Sequence, residues 1–411
     1  MRVLYLCHRV PYPPNKGDKI RAFHQLRGIA ARHEVDLFTL ADHHHDPKDE
    51  IALRQYCSRM TVARLQPARS QLRMLAQLLT HRPLSLAYFY SAELHGEIRR
   101  ALLRRSYDRI FVFCSSMAQY VDWVDDVPAL VDIVDVDSDK WMQYAAVKRF
   151  PLSAVYRREW HKLREYERKL YGKFPVLVTT EREAELVRRA SDQARVQVIP
   201  NGIDATYFDP VQSATVSEQP TVIFVGDMAY FPNEEAVKFF ALKVLPSIRT
   251  VLPKIRFFIV GRDPGRNVRR LQNIPGVIVT GAVPDIRPYL AKAQVSVAPF
   301  SIATGIQNKI LEAMAYALPV VATPRAQQGL SKRVAEMVEV GQNAQELAAC
   351  IVRLLRNPQL ARQVGIEGRE RVAAEYSWER SVDQLVQLLE AHKMAAIPRG
   401  EAFSRAKAGA R

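Results

Sequence analysis

The chain reads as an α/β protein made of two similar parallel-sheet units. Three observations predict this. Short apolar runs alternate with amphipathic helical patterns almost throughout, which is the mark of parallel sheets covered by helices on both faces. The alternation breaks once, at Asn201-Gly-Ile-Asp-Ala-Thr-Tyr-Phe-Asp-Pro210, and restarts after a polar stretch over residues 211–220. The length of 411 residues exceeds one ordinary core, so two units of ~200 residues each are expected.

In the first unit, residues 3–6, 35–40, 110–113, 130–134, 176–179 and 196–199 read as buried strands. In the second, residues 221–225, 256–260, 277–280, 295–298 and 320–323 do so. The chain reads as helical from residue 343 to about residue 393. Residues 394–411, rich in Ala, Arg and Lys, read as a disordered basic tail.

An apolar content of 48% and a charged content of 25% fit a soluble globular protein. The net charge of +16 points to an anionic partner. Nucleic acid is set aside, because no zinc-finger, RRM or KH signature is present. Cys7, Cys57, Cys114 and Cys350 form no Cys-x-x-Cys pair, which suits a reducing compartment and argues against a zinc site or a disulfide framework. The first apolar run is too short for a signal peptide, and no stretch approaches the ~18 apolar residues of a membrane span. A cytoplasmic protein is expected.

In doubly wound sheets, ligands bind where strands run out into loops. Four such loops stand out in the second unit: Val225-Gly-Asp-Met-Ala-Tyr-Phe-Pro-Asn233, Val260-Gly-Arg-Asp-Pro-Gly265, Gly281-Ala-Val-Pro-Asp285 and Pro299-Phe-Ser-Ile-Ala-Thr-Gly-Ile-Gln-Asn308. The last runs into a helix that opens with Lys309. Gly305 lets backbone approach a ligand closely, and the helix start offers free N–H groups to a phosphate. Lys309 adds a positive charge. Glu312 lies one turn on, where a carboxylate suits the vicinal hydroxyls of a ribose. A plain buried helix behind a glycine turn is the alternative reading.

Val198-Ile-Pro-Asn-Gly-Ile-Asp204 with Tyr207-Phe-Asp-Pro210, taken together with Lys309-Ile-Leu-Glu-Ala-Met-Ala-Tyr-Ala-Leu-Pro-Val-Val-Ala-Thr323, resembles family 4 glycosyltransferases of the GT-B fold. The segments Val225-Gly-Asp-Met-Ala-Tyr-Phe-Pro-Asn-Glu-Glu-Ala-Val237 and Val134-Asp-Val-Asp-Ser-Asp-Lys-Trp141 are similar to a bacterial subgroup associated with exopolysaccharide and PEP-CTERM/exosortase systems. The resemblance spans roughly residues 1–393. It implies two Rossmann-like domains facing a cleft: an acceptor domain over residues 1–210 and a nucleotide-sugar domain over residues 211–376. It also implies a helix at residues 377–393 that crosses back to the first domain. The implied reaction retains anomeric configuration and needs no cofactor or bound metal, with a nucleotide diphosphate sugar as donor substrate.

Carried over residue by residue, Glu312 matches the second glutamate of the family's motif of Glu, seven residues and Glu. The first glutamate falls at Thr304, a departure that affects the sugar end of the donor. Gly226, Arg262, Val283, Thr304, Gly305, Ile306, Gln307, Asn308, Lys309 and Glu312 are the expected donor-binding set. Asp227 and Asn233 stand where relatives often carry an Arg and a Lys for the diphosphate, so that charge is assigned to Lys309 and Arg262. In the first domain, Pro13-Pro-Asn-Lys-Gly-Asp-Lys-Ile-Arg21 matches the family's first-strand loop. Gly17 is expected at the reaction centre, with Asp18 and Arg21 lining the cleft. Relatives often have a His after the fifth strand. The matching region here is Asp132-Ile-Val-Asp135, and Asp135 is expected to replace it as a catalytic residue.

Three weaker signals are present. Asp135-x-Asp137-x-Asp139 looks like a metal-binding Asp-x-Asp but reads as an acidic helix start. His43-His-His45, between Asp42 and Asp46, reads as an exposed polar turn. Basic stretches over residues 54–105 and 148–173 suit either docking on an anionic membrane surface or a solvated helix face. The expected partners are a nucleotide sugar, a glycan or lipid-linked acceptor and an anionic membrane surface. A non-catalytic nucleotide-sugar-binding scaffold and a nucleotide-sugar epimerase are the alternative functions.

Overall fold

A computed structural model describes residues 1–41, 46–78, 80–210 and 219–391. The His43-His-His45 turn, the heart of the expected linker and the basic tail lie outside the described residues.

The first sheet holds β1 (Arg2–Cys7), β2 (Glu34–Ala41), β3 (Arg59–Arg64), β4 (Arg109–Phe113), β5 (Ala129–Val134), β6 (Val176–Val178) and β7 (Val196–Val198). Its order is β3-β2-β1-β4-β5-β6-β7. The second sheet holds β8 (Thr221–Val225), β9 (Arg256–Val260), β10 (Val277–Gly281), β11 (Val295–Ala298), β12 (Val320–Ala322) and β13 (Glu339–Val340), in the order β10-β9-β8-β11-β12-β13. Every strand pair is parallel. The order reverses between β1 and β4 and again between β8 and β11. Connections leave in opposite directions at those two points and open a crevice at the strand ends.

The central strands are apolar because both their faces are covered. Two apolar clusters flank the first sheet, one of them including Leu4, Leu6, Val112 and Val178, the other Val3, Tyr5, Phe111 and Leu177. A single large cluster fills the second unit. Two strands were not anticipated. β3 lies at the sheet edge, where most of its side chains are partly exposed and no apolar alternation is required. β13 is only two residues long.

The helix Leu152–Lys173 covers the first unit with a buried face that includes Leu163, Leu170 and Tyr171. The same face carries two buried glutamates. Glu159 accepts from the backbone N–H groups of Leu84 and Ser85 at 2.7 and 2.8 Å. Glu167 accepts from that of Ser138 at 3.1 Å. Each fixes the start of a neighbouring helix, where unsatisfied N–H groups favour an anion.

The last helix, Trp378–Glu390, returns to the first unit. Leu385, Val386 and Leu389 join a first-sheet cluster, and a Cβ on Gly28 would collide with Val382. Arg109 donates to the Leu389 carbonyl at 2.8 Å. Where the chain crosses back, the two crossings touch. Ile203 donates to the Tyr376 carbonyl at 2.8 Å and bridges Ser377 in parallel. Gly202 lies so close to the Trp378 backbone that no side chain fits between them.

Candidate functional site

The site is built around the loop between β11 and the helix Asn308–Ala315. Gly305 in this loop has φ 57°, and a Cβ there would collide with Asp135 Oδ1. Its backbone conformation and its packing therefore both require glycine. No side chain caps the helix start, so its N–H groups carry the positive end of the dipole without a local anion.

The first unit grips this loop at several points. Gln143 donates to the Ala303 carbonyl at 3.4 Å and accepts from the Ala303 N–H at 3.3 Å. The Tyr230 hydroxyl lies beside Thr304 and beside Tyr144 of the first unit. Asn201 donates to the Asn308 side-chain oxygen at 2.9 Å. Gly17 opens the first helix, Gly17–Ala30, and a Cβ there would lie 3.3 Å from Asn308 Nδ2.

Asp135 reaches Gly305 because β5 ends irregularly. Its register against β6 shifts between Asp132 and Val134, and Val134 has φ 62°. A β-branched residue avoids this region, so the backbone is strained just before Asp135. Asp132 holds the kink by accepting from the Val134 N–H at 3.0 Å. Burial raises the Asp135 carboxyl above its ordinary range; Lys140 pulls it down and Asp137 pushes it further up.

The charged residues fall into distinct groups. Lys309 donates to the Asn233 side-chain oxygen at 2.7 Å, and its ammonium lies 4.5 Å from the Phe300 ring centre and 5.2 Å from that of Phe224. Burial pulls Lys309 down to about 8, against Glu312 and Asp227. Gly226 packs beneath, its Cβ position filled by Asn233. Arg262 pairs with Asp227 at 3.0 Å, and Lys16 of the first unit reaches the same carboxylate at 3.4 Å. Glu312 is raised by burial and lowered by Lys309. Its field is felt by Tyr207, whose hydroxyl donates to Asp285 at 3.3 Å. Val283 is partly buried against the second core. Gln307 donates to the Thr304 carbonyl at 3.0 Å, and Ile306 also packs on that core.

One expectation needs correction. Arg21 does not line the cleft. It is 1% exposed and is spent on Asp132 at 2.8 Å and Asn201 at 3.0 Å, because Asp132 is wholly buried and needs a countercharge. Arg21 supports Asn201, which supports Asn308. Arg262, expected to meet the diphosphate, pairs with Asp227 through its Nε and keeps part of its side chain exposed. Asp18 accepts from Arg9 at 2.8 Å and pairs with His8 at 3.3 Å. Burial opposes its ionisation, but His8 and Arg9 outweigh burial and hold its carboxyl below the ordinary range. Within the Asp-x-Asp run, Asp137 meets Lys140 at 2.6 Å and Asp139 meets Arg182 at 2.8 Å. Among the described residues, no three His, Cys, Asp or Glu side chains converge as a metal site.

Sequence reasoning missed Glu183. It is 1% exposed, within hydrogen-bonding reach of Asp135, and accepts from Thr179 at 2.8 Å and Thr180 at 3.2 Å. Its sequence signal, Thr180-x-x-Glu183, is that of an ordinary helix-capping box.

Comparison with known proteins agrees with this geometry. Residues 219–357 match the family model described as glycosyl transferases group 1. The chain is 30% identical over 231 residues to alpha-maltose-1-phosphate synthase of Mycolicibacterium smegmatis; the match takes in 48% of this chain and 57% of the relative. It thus spans little more than half the length of that curated relative. Among solved structures, sucrose-phosphate synthase from Thermosynechococcus elongatus superposes with a TM-score of 0.70 at 22% identity, over 94% of this chain and 98% of the other. Anabaena HepE in complex with UDP-glucose gives a TM-score of 0.66 at 17% identity, over 95% and 99%. The chain therefore has the GT-B fold, and residues 219–357 within its second unit are similar to the glycosyl transferases group 1 family.

Proposed function

We propose that the chain is a retaining glycosyltransferase. It moves a sugar from a nucleotide diphosphate sugar to a glycan or lipid-linked acceptor in bacterial exopolysaccharide biosynthesis. The observation that carries this reading is the placement of Asp135, from the first unit, directly against Gly305, beside an uncapped helix start and Lys309. A diphosphate fits the helix start and Lys309. Glu312, with Tyr207 and Asp285 near it, suits the ribose. The sugar then lies towards Thr304, Gly305 and Asp135. Solved neighbours that hold UDP or UDP-glucose support a nucleotide sugar as ligand. The reaction needs chiefly positioning and charge stabilisation.

The lipid-linked acceptor is supported by the surface. Residues 51–92 contain no Asp or Glu. Leu72 and Leu75 on the helix Pro67–Gln77 are 66% and 61% exposed, and Phe150 is 84% exposed. Basic side chains around exposed apolar ones suit the cytoplasmic face of an anionic bilayer. No helix among the described residues is long and apolar enough to cross a membrane.

The test is a thermal-shift screen against UDP-, GDP- and dTDP-sugars, followed by turnover with a lipid acceptor. A ligand at 100 times its dissociation constant stabilises by ~2.7 kcal/mol. If no nucleotide sugar stabilises the protein, the donor reading is wrong. A second reading, a binding scaffold without turnover, is favoured by Thr304 in place of a carboxylate and by Asp227 occupying Arg262 and Lys16. Binding without any turnover selects it. Flotation with anionic vesicles tests the membrane face: salt-sensitive binding that is lost in Leu72→Asp/Leu75→Asp supports it, and no binding removes it.

A further inference from the structure

We propose that Glu183 is a positioning residue of this site, holding the Asp135 carboxyl against Gly305 through a hydrogen bond between the two carboxyl groups. This rests on the donor reading above, which places the reacting sugar beside Asp135.

The geometry is specific. Glu183 stands in the first turn of the helix Glu181–Ala190. One of its oxygens accepts from the hydroxyls of Thr179 and Thr180, and the other from the Val136 N–H at 3.3 Å. Val136 directly follows Asp135, so Glu183 holds the backbone of the kink as well as the Asp135 side chain. The Thr179 hydroxyl is itself close to Gly305: a Cβ there would lie 3.2 Å from it. Thr179, Glu183 and Asp135 thus form one connected cluster on the first-unit side of the donor loop.

Two buried carboxyls in contact do not both ionise, because the second negative charge has neither water nor a full countercharge. Burial raises both groups above the ordinary carboxylate range, and Asp135 adds to the rise at Glu183. Around Asp135 stand Lys140 and Asp137 from the helix Asp137–Val147, Arg21 from the first helix and Tyr230 from the second unit. Tyr171 faces Glu183 from the helix Leu152–Lys173. Lys140 favours the charge on Asp135. Glu183, enclosed by hydroxyls and 1% exposed, keeps the proton and donates it to Asp135. Asp135 then presents one fixed negative charge where the sugar carbon becomes positive as the diphosphate leaves. Glu183 itself does not touch the substrate.

The test is Glu183→Gln. Glutamine is accepted at this position of a capping box, so the fold is expected to persist, with a melting temperature close to that of the unaltered chain. Donor KM stays the same while kcat falls about 100-fold, the scale of a catalytic group displaced by about 1 Å. Carboxyl carbon NMR gives a readout that needs no turnover. Asp135 titrates in two coupled steps in the unaltered chain and in one step in Glu183→Gln. Glu183→Asp, which keeps a carboxyl but draws it back, retains two steps and loses kcat. An unchanged Asp135 titration with unchanged kcat in Glu183→Gln overturns the proposal. Failure of every nucleotide sugar to stabilise the unaltered chain sinks the donor reading instead, and the titration still decides whether the two carboxyls are coupled.

Discussion

Lys309 donates to the side-chain oxygen of Asn233 at 2.7 Å, and Asn233 donates in turn to the Asp227 carbonyl at 2.8 Å. The ammonium thus rests on a neutral amide and two aromatic faces, with no salt-bridge partner of its own among the described residues. A cation held this way keeps most of its charge available for an incoming anion.

Lys309→Ala is expected to weaken nucleotide diphosphate binding by ~1.5–3 kcal/mol, the range of a charge-assisted contact. Titration calorimetry measures this directly. Equal affinity in the variant removes Lys309 from the phosphate site.

The lowered titration of Lys309 has a sign that can be checked. Burial brings it to about 8, below the ordinary lysine value of 10.5. Above pH 8 the folded protein holds this lysine increasingly neutral, while the unfolded chain keeps it protonated up to about 10.4. The burial penalty from this group is therefore present below pH 8 and fades as pH rises from 8 towards 10.5. A bound diphosphate raises Lys309 again, so binding near pH 8.5 takes up a proton. Calorimetry in buffers of different ionisation enthalpy should show that uptake, and Lys309→Ala should abolish it. Binding without proton exchange in the unaltered chain counts against the assignment.

Gly305→Ala is expected to cost ~1–2 kcal/mol for the left-handed backbone alone, with a further cost from the collision with Asp135. Adding Asp135→Ala removes the collision. The double variant should then melt above Gly305→Ala, a non-additive result that marks direct contact. Additive melting shifts would place the two residues apart.

Arg21→Met is expected to destabilise the fold by ~3–5 kcal/mol, because Asp132 is left buried without its countercharge. Urea denaturation reads this. A stable variant that had lost only acceptor binding would return Arg21 to the cleft.

The central strands were legible because a strand covered on both faces must be apolar, as β1, β4 and β11 are. β3 was not, since an edge strand such as Arg59–Arg64 tolerates exposed arginine. The loop at residues 299–308 was legible because Gly305 and Lys309 carry local chemistry. Arg21 was misplaced because an arginine in a polar loop reads as exposed, and its partner Asp132 lies 111 residues away. Lys16 and Asp227 become partners only across the two units. Glu183 was concealed by its own helix signal, since one residue both caps a turn and meets Asp135.

The seam at residues 201–203 and 376–378 has a mechanical consequence. A single flexible crossing lets two bodies swivel in any direction. Two crossings tied side by side, at Ile203 with Tyr376 and Gly202 with Trp378, act like paired pins on a door. Any movement about that seam would part Asp135 and Gln143 from the donor loop together, because both reach it from the first unit. The cluster around Gly305 is therefore shared property: neither unit holds it alone, and it is complete only where the two lie together.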